Sequence, residues 1–414
     1  MIHQAKQKGR IMKRRMIAVL LSGILLCSAA GCGKEAVTDK STAASSSQEV
    51  TETPAAEESP EASSSSADST AESASASTSS ESSGDEGKEA DKKRIEITVP
   101  HKDGMEALYD TVDGLNVEKG SYIAVVAKDL SAGFWKAVKA GAQQALDDLN
   151  ASLGYTGNDK VYMTFEGPEN ESDTNSQINI IDSVISENPD ALILGIIDQQ
   201  SGQAQMEEAS DSQIPVVIAD SGIESDLITS TCATDHAKLA ADHLCEAIGN
   251  SGEVAIVAHQ YNTESSVERV EAFKKEIEEK YTDVKVVQVN YGDGEESIAD
   301  MLKNTLETYP ALKGIFCTNE DMADQTLDAL ADMENTEQIQ IVGFDSGEEQ
   351  QKAIQEGREY GTITQNPYGL GYAAIVAAVR AIQGLSVDQK IDTGYQWLDK
   401  DTIDLETNQK YLYN

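Results

Sequence analysis

Residues Gly120–Leu149 read GSYIAVVAKDLSAGFWKAVKAGAQQALDDL, and the first third of this stretch differs in kind from the last. Tyr122–Ala127 is a short apolar run with β-branched residues that gives way to polar ones, the signature of a buried strand. After Ser131-Ala132-Gly133, apolar residues recur at three- and four-residue spacing as Val138, Ala142, Ala145 and Leu149. That spacing predicts an amphipathic helix over Phe134–Leu149.

The same pairing repeats along the chain. Strands are expected at Val161–Phe165, Ala191–Ile197, Pro215–Ala219 and Ile228–Ala233. A second series follows at Glu253–Ala258, Val284–Val289, Gly314–Cys317, Ile339–Phe344 and Tyr360–Thr364. Helical patterns lie between them at Thr174–Ser186, His236–Ile248, Ser266–Glu279, Glu296–Tyr309 and Asp321–Met333. Strict alternation of strand and helix calls for α/β architecture, with parallel sheets covered by helices on both faces. About 295 residues in this pattern exceed what one core usually holds. Two Rossmann-like lobes are therefore expected, changing over near Ala233–Asp235. Ligands of such sheets bind beyond the carboxyl ends of the strands, so the residues just after each strand are the ones to inspect.

The amino end bears on the compartment. Lys13, Arg14 and Arg15 precede an apolar run from Met16 to Leu26, too short to span a bilayer, and then Cys27-Ser28-Ala29-Ala30-Gly31-Cys32. A basic region, a short apolar core and small residues before a cleavage point make a secretory signal peptide over residues 1–31. The small residues before Cys32 resemble the bacterial lipobox, although Ala29 stands where Leu is commoner. The resemblance implies acylation of Cys32 and a lipid anchor on the outer face of the cell membrane. Met12 serves as well as Met1 for a start. Gly33–Asp91 is nearly all Ser, Ala, Glu, Thr, Asp and Gly, too poor in apolar surface to fold, and reads as a disordered tether. Residues 32–119 are thus grouped as lipidated Cys, tether and lead-in.

The chain carries a formal charge of −40. The tether supplies −11 of it and the segment up to Leu26 adds +6, leaving about −35 on the remainder. Such a surface repels phosphate backbones, so no nucleic-acid partner is expected. Beyond the signal region stand Cys232, Cys245 and Cys317, an odd number at wide spacing, which fits neither a disulfide framework nor a zinc site. They read as small buried residues.

At the strand ends, Lys128 leads into Phe134 and Trp135 at a helix start. Adjacent aromatics cannot face the same direction on a helix, so one of the pair is a candidate to stack on an apolar ligand face, the alternative being a helix-end staple. Asp198 and Asp220-Ser221 follow the third and fourth strands; a carboxylate there is either a charge-assisted anchor for hydroxyls or a turn residue. Arg269 lies one turn into a helix and offers a planar fork of donors, unless it pairs with Glu268 or Glu271. Asn319 and Asp345 follow later strands and suit helix caps equally well. Gln365 precedes Asn366-Pro367-Tyr368, where Pro367 fits the first helical position.

Taken in order, these pieces resemble the periplasmic-binding-protein type 1 family, in particular the ribose-like sugar-binding proteins of bacterial ABC transporters. The resemblance covers about Ser121 to Asp399. It rests on Phe134-Trp135, Gly141-Ala142, Gln177-Ile178, Ile214–Val217 with Asp220, Arg269 with Phe273, Asn319, Gly343-Phe344-Asp345, and Gln365–Tyr368 with Gly371-Tyr372. It implies a small sugar held by stacking on Phe134 or Trp135 and by hydrogen bonds from Asp220, Arg269, Asn319, Asp345 and Gln365. It further implies hinge strands near Thr234-Asp235, Gln365-Asn366 and Gly394–Trp397. The lobes would then be 120–233 plus 366–394, and 234–365 plus 395–414. A monomer that closes on a pentose or hexose and delivers it to an ABC permease is the expected protein. Lys128 and Ser221 depart from the ribose-binding pattern. Lys128, with Glu166-Gly167-Pro168 and Asp220-Ser221, is similar to binding proteins for the furanosyl signal autoinducer-2, which lack a counterpart of Arg269.

Other classes fit less well. The five His are scattered, with no third ligand beside His236 and His243, and Asn290–Gly294 lacks the Lys and spacing of a phosphate loop. No enzyme activity and no cofactor are expected. A repressor with this fold would need a helix-turn-helix in front of it, where this chain has a signal and an acidic tether. A lipoprotein that senses a ligand for a membrane kinase would show the same cleft.

Overall fold

The computed structural model describes residues 97–100, 106–233 and 236–413. The expected signal peptide, Cys32, the tether and Thr234-Asp235 lie outside the described residues. A small antiparallel hairpin, β1 (Thr98–Pro100) and β2 (Glu106–Leu108), precedes the main body. The first sheet is built from β3 (Tyr122–Val126), β4 (Tyr162–Glu166), β5 (Ala191–Leu194), β6 (Val216–Ala219) and β7 (Ile228–Ala233). Its helices are α1 (Gly133–Leu153), α2 (Thr174–Ser186) and α3 (Gln203–Asp211). The second is built from β8 (Gly252–Ala258), β9 (Val284–Tyr291), β10 (Leu312–Cys317), β11 (Gln340–Phe344) and β12 (Gly361–Gln365). Around it lie α4 (Ala237–Ala247), α5 (Glu264–Lys280), α6 (Ile298–Thr308), α7 (Glu320–Ala331) and α8 (Glu348–Glu356). The chain then returns to the first lobe as α9 (Pro367–Ile382) and β13 (Lys390–Asp392), and ends in the second sheet as β14 (Tyr395–Asp399).

The strand orders are β13-β7-β6-β5-β3-β4 and β14-β12-β11-β10-β8-β9. All pairings within these two sheets are parallel except β12 with β14, an antiparallel edge that strict strand–helix alternation did not anticipate. Successive strand residues serve opposite cores, as the two-residue period requires. Ile123 and Val125 pack under α1 and α9, whereas Ala124 and Val126 pack under α2 and α3. In the second lobe Val254 and Ile256 face α4 and α5, while Ala255 and Val257 face α6 and α7. Sheets covered on both sides explain the near-continuous apolar runs in the sequence.

The pairing of α1 with α9 depends on two glycines. A Cβ on Gly141 would stand 1.9 Å from the Tyr368 carbonyl oxygen, and one on Gly371 1.9 Å from that of Val138. Each helix therefore offers a bare backbone to the other. The lead-in before Gly120, grouped with the tether on composition, joins the first lobe: Tyr109 is fully buried, its hydroxyl 2.8 Å from the Asp388 carboxylate, and Val112, Leu115 and Val117 share its core. Cys232, Cys245 and Cys317 are buried and free.

The chain belongs to the first sheet up to β7 and to the second from α4 onward, and among the described residues it passes between the sheets again at Asn366 and at residues 393–394. These last two crossings are tied together by the bond from Asn366 Nδ2 to the Thr393 carbonyl, 3.0 Å.

Candidate functional site

Asp220 and Asp345 follow β6 and β11, one in each lobe, and both adopt left-handed backbone, with φ of 72° and 80°. Their amides donate across to neighbouring strands, to the carbonyls of Cys232 (2.9 Å) and Ile363 (2.7 Å). Asp accepts this conformation more readily than most residues. The turn aims both carboxylates into a cavity of about 560 Å3 between the lobes, within the size range of small-molecule sites.

At its centre is a buried ion cluster. Lys128 Nζ lies 2.6 Å from Glu171 and 2.9 Å from Asp220, and Arg269 reaches Asp220 from the other lobe at 3.6 Å. Arg269 also donates to the Thr318 carbonyl at 2.7 Å and lies 3.8 Å over the Phe344 ring. Burial by itself would raise the Asp220 pKa, but Lys128 and Arg269 outweigh it and hold the carboxyl below its ordinary range. Burial works against the charge on Lys128 as well, and there Asp220 and Glu171 prevail and raise its pKa. Asp345 is pushed up by burial and by Asp220, against the pull of Arg269 and of Gln365, whose Nε2 donates to it at 2.7 Å. His259 is kept neutral by burial and then by Lys128 and Arg269; its Nδ1 lies 2.9 Å from Thr318 Oγ1.

Lys128, Phe134, Trp135, Asp220, Arg269, Asn319, Asp345 and Gln365 all line this one cavity. The two aromatics find different partners, as adjacent helical positions must. Trp135 packs over Gly195, where a Cβ would stand 2.3 Å from its ring, and Phe134 meets Tyr413 edge-on at 6.2 Å. Asn319 accepts from the Met322 amide as the cap of α7 while lining the cavity. Two expected residues are elsewhere. Asp198 accepts from the Gln200 amide and the Ser201 hydroxyl, so it serves its own turn, away from the cavity. Ser221 is fully buried behind Asp220, to which its hydroxyl donates at 3.0 Å.

Several lining residues were not singled out from the sequence. His259 directly follows β8, so the strand-end rule itself could have found it. Gln260 is the next residue and answers to the same rule, whereas Glu171 comes from a loop with no such signal and Glu320 from the first turn of α7. Around the rim the lobes are bonded to each other. Gln260 Nε2 donates to the Glu171 carbonyl (2.5 Å), Thr263 Oγ1 to that of Ile197 (2.5 Å), and the Gly222 amide to Glu264 (2.5 Å). The lobes are closed on the cavity.

A family model described as "Periplasmic binding protein domain" matches residues 123–386, more than half of the chain. The chain belongs to this family of periplasmic binding proteins. Among the curated relatives of this family member is the ribose import binding protein of Haemophilus influenzae, 25% identical over 65% of this chain and 88% of its own. A solved carbohydrate transporter solute-binding protein from Agrobacterium radiobacter, in complex with D-arabinose, is 26% identical with a TM-score of 0.64 and covers 70% of this chain and 98% of its own. A solved protein from Brachyspira murdochii, described as "ABC transporter, LacI family transcriptional regulator", is 30% identical with a TM-score of 0.60, covering 71% and 99%. The matched segment contains all the residues that line the cavity.

Proposed function

We propose that this periplasmic binding protein is the sugar-binding lipoprotein of a bacterial ABC importer. It captures a pentose or hexose in the cleft between its lobes and hands it to a permease while anchored to the membrane through Cys32. The observation that carries the reading is the pair of strand-end carboxylates, Asp220 and Asp345, converging from opposite lobes on one cavity with Arg269 and two aromatic residues. Hydroxyl groups suit such a site, because charge-assisted bonds to a carboxylate are roughly twice as strong as neutral ones. Aromatic rings cover the C–H faces that hydroxyls leave bare. The named ligands of the relatives, ribose and D-arabinose, support the class.

Closure is favoured by the same geometry. A ligand held by residues of both lobes favours the closed form by its difference in affinity for the two states. The lobes are 120–233 plus 366–394 and 234–365 plus 395–414 in this reading, turning about the three crossings. The C-terminal tail joins both, since the Tyr413 hydroxyl accepts from the Ser346 amide (3.3 Å) and its ring meets Phe134.

A thermal-shift screen against pentoses, hexoses, short oligosaccharides and autoinducer-2 tests the reading. A ligand at 100 times its dissociation constant adds about 2.7 kcal/mol of stability, which is readily seen. A shift with a pentose or hexose, or with an amino derivative of one added to the panel, supports it; no response to any of these sugars refutes it.

A further inference from the structure

The sugar reading can be sharpened, because the cleft is lopsided in charge. Eight carboxylates line it against two cations. Both cations are already committed: Lys128 lies between Glu171 and Asp220, and Arg269 is shared by Asp220, the Thr318 carbonyl and the Phe344 ring. Neither is left as a counter-charge for a phosphate or a carboxylate on the ligand.

Four more of the lining carboxylates stand apart from these two cations in the ion-pair pattern: Glu320, Asp321 and Asp324 come from the first turns of α7, and Asp293 from the loop after β9. The amino end of α7 carries about half a positive charge, which Glu320 and Asp321 in its first turn outweigh. The unused hydrogen-bonding capacity has the same sense. Gln365 is 2% exposed, and its Nε2 donates to Asp345, which fixes the orientation of the amide. Its Oε1 is left without a protein partner, as is Asp324 Oδ1. Both are acceptors.

We propose that the preferred ligand carries a protonated amine: an amino sugar or amino-alditol whose ammonium lies toward Glu320 and Asp324. An ammonium brings three donors and no acceptor, and it supplies the positive charge that the two lining cations, paired with Glu171 and Asp220, do not bring to these carboxylates. The carboxyls behave as groups whose burial and like-charged neighbours outweigh their partners, Arg358 pulling only weakly on Asp324 and the Tyr413 hydroxyl on Glu320. That of Glu320 is pushed up to about 7 by burial and by Asp345 and Asp324, and that of Asp324 to about 7 by burial, Glu349 and Asp321.

The inference rests on the sugar reading, so its test must separate the two. Titration calorimetry on the purified full chain at pH 7 would compare glucosamine, galactosamine and mannosamine with their neutral parent hexoses and with the matching uronic acids, and would include the pentoses. At least one amine is expected to bind ten times more tightly than its parent. That margin should shrink in high salt and in Glu320→Gln, and uronic acids should show no binding. A neutral sugar that binds as tightly as any amine, or a uronic acid that binds, overturns the amine while leaving the sugar reading intact. Silence from all of these ligands overturns both.

Discussion

Replacing Asp220 by Asn removes one negative charge from the centre of the cleft with little other change. Asn tolerates the left-handed backbone that Asp220 occupies at φ 72°, so the backbone is not the target. The variant takes one carboxylate from Lys128 and the interlobe partner from Arg269, both buried. Removing one member of a buried ion pair typically costs about 3–5 kcal/mol, because the remaining charge stays desolvated. Lys128 keeps Glu171 at 2.6 Å and Arg269 keeps the Thr318 carbonyl at 2.7 Å, which places the expected loss at the lower end, about 3 kcal/mol. At roughly 2–4 °C per kcal/mol for a body of this size, the midpoint of thermal unfolding should fall by about 6–12 °C. Lys128→Met by itself should also destabilise, since it leaves the half-buried Glu171 and the buried Asp220 without the cation they share. The double variant removes both signs at once and should recover at least about 1.5 kcal/mol of the summed losses, the coupling expected of residues in direct contact. Denaturant unfolding of the four proteins measures this cycle. Additivity within about 0.5 kcal/mol would show that the two charges do not depend on each other, and the buried ion cluster would then not be the unit that organises the cleft.

Particular contacts lead to further expected outcomes. Asp220→Ala and Asp345→Ala should each weaken binding of the ligand found by screening by at least about 1–3 kcal/mol, the scale for a lost buried hydrogen-bond partner; calorimetry giving unchanged affinity in both removes them from the site. Gly141→Ala should destabilise despite the better helix propensity of Ala, worth about 1 kcal/mol, because the new methyl meets the Tyr368 carbonyl at 1.9 Å; an unchanged melting point would contradict the close crossing of α1 and α9. Glu320 and Asp324 have carboxyl pKa values raised to about 7, so the folded state holds protons the unfolded chain would release. Their contribution is fully present below the ordinary values of about 4.3 for Glu and about 3.9 for Asp, and is lost as pH rises through about 7. The unfolding free energy should therefore be higher at pH 5.5 than at pH 8, and Glu320→Gln should flatten that slope. Thr263→Val removes the hydroxyl bonded to the Ile197 carbonyl across the lobes, and small-angle scattering should report a larger radius of gyration for it; an identical curve would mean the rim bonds do not hold the closed form.

The sequence by itself determined the alternation of elements, because burial on both faces of a sheet leaves continuous apolar runs and burial on one face of a helix leaves a three- and four-residue period. Thr174–Ser186 appears as a helix with the predicted ends, its cap supplied by Asp173, and β7 spans the predicted Ile228–Ala233. Strand ends were legible too, which is why Asp220, Asp345 and Gln365 could be named in advance. Features that depend on contacts distant along the chain were not legible. Whether Asp198 or Asp220 enters the cleft depends on which turn closes on itself, and only folding decides that the Gln200 amide and the Ser201 hydroxyl occupy Asp198. Glu171 sits in a loop and matters because Lys128, 43 positions earlier in the sequence, points at it. Arg269 reads on its own helix as a partner for Glu268 or Glu271, yet its guanidinium reaches across to Asp220 because the lobes close. Local pattern sets the elements, since it reports each residue's own burial. The electrostatics of the cleft belong to the tertiary structure, since a charge is defined there by what folding brings within a few ångströms of it.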